Sequence, residues 1–208
     1  MAQLPRSGLV QYGFSAFERW ASGATAWPPR CSRLRSVVAE TRGAVDVESR
    51  FESQGDAVLS GACHASIARA HTAAGRAQQG RTEALLALAV PIELAPLLHV
   101  FAGAALTEAL LALDEAHPAR LAATEAAQVL GRLAGVGDGS ILLRLFHALA
   151  LDATGQPDRG RRVLSDARII IDARLAELRS VDGGTLTRPF EVAVWENAQV
   201  LALTSPEA

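Results

Sequence analysis

Five histidines, two cysteines and twenty arginines hold most of the nitrogen and sulfur chemistry open to this chain of 208 residues. His64 and His71 are seven residues apart, a spacing that lets them share a helix face, and Cys63 adjoins His64. A zinc site wants further ligands at tight spacing, and the chain has neither His-Glu-x-x-His nor Cys-x-x-Cys. No metal is expected. Cys63 and His64 do not read as a nucleophile and its base, because neighbouring helical residues do not face each other. There is no Gly-x-Ser-x-Gly elbow. Asp114 and Glu115 read as a turn, with no apolar surround to shift a carboxyl pKa. No catalytic residue and no cofactor is expected, and the chain reads as a non-enzyme.

All twenty basic residues are Arg. Without Lys, a Walker A loop, a protein-kinase ATP site and a pyridoxal-phosphate Schiff base are each incomplete. The glycine run Gly135 to Ser140 follows a helical pattern rather than a strand and is no full G-x-G-x-x-G, so it reads as a linker. Arg159, Arg161, Arg162, Arg168, Arg174 and Arg179 lie along one stretch, interleaved with Asp158, Asp166, Asp172 and Glu177. Asp158 with Arg162 and Arg168 with Asp172 read as i,i+4 pairs on a solvated helix face. The net charge of −2 gives no global field for nucleic acid, and none is expected as a partner.

The elements that must position these residues read as helices. Half the chain is hydrophobic and 41 residues are Ala, while aromatics are 5%. Such a composition favours packed helices, because Ala and Leu lose little on entering one. Asp56 reads as the N-cap of a helix through Ala74, Ala77 to Val90 as the next, and Pro91 as its stop. Helices follow over Leu97 to Leu113 and Ala119 to Leu133, with a break from Asp114 to Pro118 that includes His117. Ser140 reads as the N-cap of Ile141 to Ala153. Asp158 to Arg179 and about Pro189 to Leu203 complete the set. The acid-free apolar piece Leu94 to Thr107 is shorter than the roughly 20 residues a spanning helix needs, so no membrane role is expected. Residues 1–50 carry seven Arg against four acids and read as a separate, loosely structured segment. Cys31 and Cys63 make no disulfide framework and no apolar leader is visible, which predicts the cytoplasm.

A period emerges from the turns. Gly75 and Gly155 are 80 residues apart, with the Asp114 turn midway, and Thr82-Glu83-Ala84 returns 42 residues on as Thr124-Glu125-Ala126. A helix-turn-helix unit of about 40 residues, met three times, is the pattern of an α-solenoid. Ala68 to Arg76 with Glu83-Ala84, and again Leu149 to Gly155, resemble the junction between the two helices of a tetratricopeptide repeat. Phe190, Val194, Glu196-Asn197 and Leu201 resemble the closing helix of tetratricopeptide-like regions in large bacterial serine/threonine kinase and ATPase-type signalling regulators. The resemblance spans roughly residues 57–205, although the family's Trp, Leu-Gly and Tyr positions are mostly Ala and Leu here.

The resemblance implies an all-α fold: a tetratricopeptide-like α-solenoid over 57–205, with about three helical hairpins and a terminal capping helix. It implies a scaffold in bacterial signalling whose groove takes a protein or peptide segment. The polar residues on otherwise apolar first helices, His64, His71, His99, Arg144 and His147, are the expected partner-binding set. An apolar open end would allow a homodimer. Two alternatives stand beside this: the remnant or sensor part of a kinase or ATPase regulator, and a small helical ligand-binding domain or enzyme without a recognisable motif.

Overall fold

The protein is seen in a computed structural model that describes residues 56–133, 139–182 and 195–205. The segment 1–50, the glycine run up to Asp138, and Phe190 and Val194 lie outside the described residues. Among the described residues there are seven α-helices and no strand. They are α1 (Ala57–Ala73), α2 (Ala77–Leu88), α3 (Pro96–Ala112), α4 (Ala116–Arg132), α5 (Ser140–Ala153), α6 (Pro157–Asp182) and α7 (Trp195–Leu203). The all-α expectation holds.

Local chemistry sets the boundaries. Asp56 Oδ1 accepts the Leu59 N–H at 3.1 Å and caps α1, as its side chain suits it to do. α1 ends in a left-handed turn at Gly75, φ +76°. The Gly75 N–H donates to Thr72 O at 3.0 Å and the Arg76 N–H to His71 O at 2.9 Å. This is the Schellman arrangement, which uses carbonyls the helix end leaves over. It recurs after α3, where Asp114 sits at φ +60°, its N–H donates to Leu111 O at 3.1 Å and that of Glu115 to Leu110 O at 2.9 Å. It recurs after α5, with Gly155 N–H to Asp152 O at 3.0 Å and Gln156 N–H to Leu151 O at 2.8 Å. The three turns fix a common register along the chain. In that register Thr82 matches Leu121, so the Thr-Glu-Ala likeness read from sequence is out of step.

Several boundaries differ from the sequence reading. α2 ends at Leu88 instead of Val90; Ala89 and Val90 close it with N–H donation to Leu86 O and Ala87 O. α4 starts at Ala116, so His117 and Pro118 are in its first turn. There proline's missing N–H has no helical acceptor to lose. At α5 the N-cap is Gly139, φ +78°. Ser140 is already inside the helix, and its Oγ is buried with no hydrogen bond.

Each of α1 to α6 packs on the next in the chain; α1 also packs on α3, and α3 on α5. α7 rests on α5 and α6, placing Val200 against Ile141, Leu145, Leu164, Ile171 and Leu175. Four neighbours surround α3, and every residue from Ala102 to Leu110 is buried. Paired helices approach closely through small residues. Five residues beyond each turn stand Gly80, Ala119 and Gly160, all buried. A Cβ on Gly80 would meet Thr72 Oγ1 and lie 2.8 Å from Ala68 O; one on Gly160 would lie 2.9 Å from Ala148 O. Twelve residues beyond each turn, Ala87, Ala126 and Ala167 form a second buried column of small side chains.

Candidate functional site

The five polar residues expected to bind a partner do not meet in one place. His64 turns toward its own pair: its Nδ1–H donates to Glu83 Oε2 of α2 at 2.8 Å. His71 accepts at Nδ1 from Arg76 Nε at 2.9 Å, across the α1–α2 turn. Burial lowers the His71 pKa, Arg76 lowers it further, and Glu83 opposes them. His99 fastens the link between α2 and α3, its Nε2–H donating to Val90 O at 2.6 Å. Arg144 NH1 donates to Ser140 O at 3.1 Å on its own helix. Burial also lowers the Arg144 pKa, against the attraction of Asp166 on α6.

His147 differs from the rest. Its Nε2 is buried and has no hydrogen-bond partner. Burial lowers its pKa first, and the positive charges of Arg159 on α6 and Arg120 on α4 lower it further. Within the register of the turns, eight residues back, the first two pairs carry Ile67 and Leu106 at this place. His147 therefore stands where the fold elsewhere uses an aliphatic side chain.

Where first helices touch, another cluster appears that sequence reading passed over. Arg69 of α1 donates through Nε to Glu108 Oε2 of α3 at 3.3 Å, and its guanidinium lies 5.7 Å from the Phe101 ring centroid. Glu108 is only 8% exposed. Arg69 and Glu108 occupy the same place in consecutive units, six residues before the turn, with Leu149 as the third. Their spacing of 39 residues was the available signal, and only the correct register exposes it.

On α6 the expected ion pair of Asp158 with Arg162 is replaced by one with Arg161, while Arg168 and Asp172 pair at 2.9 Å as expected. Among the described residues no group of three or more His, Cys, Asp or Glu could hold a metal ion. Among them, too, no helix is long and apolar enough to cross a membrane. Comparison with protein-family models, with curated proteins and with solved structures gives no match for this chain.

Proposed function

We propose that α1 to α7 form a tetratricopeptide-like α-solenoid that binds a segment of a protein partner and catalyses nothing. One observation carries the reading: a single turn geometry occurs three times, 39 and 41 residues apart, between helices of matched register. Units of this kind leave an apolar face that only a neighbour can bury, and their stacking leaves a continuous surface along one set of helices. Here that set is α1, α3 and α5, whose mutual packing supports the choice. Phe101 and the Arg69–Glu108 pair lie at the first contact between them. Arg144 and His147 are the α5 members of the proposed binding set.

The test starts from a partner captured with the tagged chain and then purified. Calorimetry would compare its affinity for the wild-type chain, for Phe101→Ala, and for Arg144→Ala with His147→Ala. A loss of about tenfold or more in either variant, with circular dichroism unchanged, is the expected result. A chain that recovers only itself, or a partner indifferent to both variants, overturns the reading.

A further inference from the structure

α2 has two sides of opposite character. Its inner side is the row Ala77, Gly80, Ala84 and Ala87, all buried. Its outer side carries Gln78, Gln79, Thr82, Leu85 and Leu86, all exposed, with the two leucines 49% and 47% exposed. Arg81 and Glu83 are the helix's two charged residues, and both are drawn to its flanks. Arg81 NH1 reaches α4's entry, 3.2 and 3.3 Å from the two carboxylate oxygens of Glu115. Glu83 Oε2 accepts from His64 Nδ1 of α1 at 2.8 Å. The outer side of α2 therefore carries no charge.

The second helices of the other units differ. Where α2 has Thr82, Leu85 and Leu86, at the same distances beyond the turn α4 has Leu121, Thr124 and Glu125, and α6 has Arg162, Ser165 and Asp166. Of the seven large hydrophobic side chains exposed among the described residues, five lie between Leu59 and Leu97. One of them, Leu94, is 66% exposed in the turn that follows α2. Apolar side chains gathered on an uncharged face mark an interaction surface, because charged groups are costly to strip of water and are depleted at interface centres.

We infer that the outer side of α2 pairs with the same side of a second copy of this chain, antiparallel about a two-fold axis at Leu86. A two-fold contact must be self-complementary, since each residue near the axis meets its own copy. On α6, Arg162 or Asp166 near such an axis would meet a like charge. On α2, Leu86 meets a leucine and Thr82 comes beside Ala89 of the second copy, so no charge is desolvated. A helix of 12 residues is about 18 Å long, which puts the contact at the small end of specific interfaces. The dimer therefore exchanges with monomer, with a Kd on the order of micromolar. The pairing uses none of α1, α3 and α5 and does not rest on the groove reading.

Sedimentation velocity of the full chain from about 1 to about 100 μM tests the pairing. The wild-type chain should pass from monomer to dimer across that range. Leu86→Glu and Leu86→Lys should each raise the midpoint by about tenfold or more, since each sets like charges together at the axis. An equimolar mixture of the two variants should recover the dimer, because glutamate then meets lysine. Loss of folding could not produce that recovery. Ile169→Glu, at a residue of α6 that is 66% exposed, should leave the midpoint unchanged. A wild-type chain that stays monomeric to about 100 μM overturns the inference and gives the face to another occupant. So does a Leu86→Glu chain that dimerises as the wild type does, or a mixture of the two variants that stays monomeric.

Discussion

Ten residues before its turn, the first unit has Ala65 and the third has Leu145, both buried. The contrast runs through the two pairs. α1 and α2 meet through Ala65, Ala68, Ala84 and Ala87, with Gly80 where the two helices approach closely. α5 and α6 meet through Leu145, Leu164, Ile171 and Leu175. The turn geometry is the same in both. Both pairs set a glycine against a carbonyl of the first helix, Gly80 on Ala68 and Gly160 on Ala148, but the third pair adds large apolar side chains where the first has alanine. Dispersion between close atoms and removal of apolar surface from water are separate sources of stability, and they fail in different ways. A close approach fails when a methyl group is added; an apolar contact fails when one is taken away.

Leu145→Ala would make the third unit resemble the first at this place. It should cost about 2–5 kcal/mol, since the residue is buried in one cluster with Leu164, Ile171, Leu175 and Val200 and its truncation opens a cavity there. Urea denaturation of the full chain measures it. Gly80→Ala inverts the experiment. The new Cβ would press on Thr72 Oγ1 and on the rigid Ala68 carbonyl, at a cost of about 1–3 kcal/mol by the same measurement. If Gly80→Ala were neutral, the close approach of α2 to α1 would be slack.

His147→Leu restores at one place the aliphatic pattern of Ile67 and Leu106. Removing a buried nitrogen without a partner should stabilise the fold by about 1 kcal/mol. The same change alters the response to acid. His71 and His147 both have pKa values lowered from 6.5 by burial and neighbouring Arg. They are held neutral in the fold, so their contribution is complete above the unfolded value. It is lost as pH falls below about 6.5 through the folded values. Melting temperature should therefore fall on acidification below about pH 6.5, and less steeply in His147→Leu than in the parent.

The smallest effect concerns the turn the units share. Asp114 holds the left-handed position that Gly75 and Gly155 hold elsewhere. Asp114→Gly relieves steric strain but adds freedom to the unfolded chain, leaving a gain of about 0.5 kcal/mol. Differential scanning calorimetry should show a small rise in melting temperature, and no change would mean that Asp tolerates this turn as well as Gly does.

Much of the helical framework was legible in residue types. Asp56 marked a start, Gly75 and Gly155 marked ends, and the Ala and Leu content favoured helices over a sheet. The errors are instructive because each lies where a residue has more than one role. Pro118 reads as a break but is accommodated in a first turn, where no helical bond is lost. Ser140 reads as a cap but yields that place to Gly139, whose left-handed backbone makes the entry. Thr-Glu-Ala reads as a repeat but falls three residues out of register, because helix faces tolerate such a shift with little change in pattern. The proposed binding residues were chosen for polarity alone. Polarity marked His147, but it also marked His64 and His99, which the fold uses to tie neighbouring segments together.

The sequence alone determined that the chain would be helical, that its turns would fall near Gly75, Asp114 and Gly155, and that Lys chemistry was excluded. These follow from backbone preference and composition, which act over a few residues. Tertiary structure decided which charges balance. Arg81 and Arg120 hold the same place in consecutive units, yet Arg81 meets Glu115, whereas the residue that matches Glu115 at the next junction is the neutral Gln156, whose Oε1 accepts from Arg159. Whether a guanidinium is neutralised depends on what lies a few ångströms away across a packed interface. That distance is set by how helices approach one another, and no spacing along the chain encodes it.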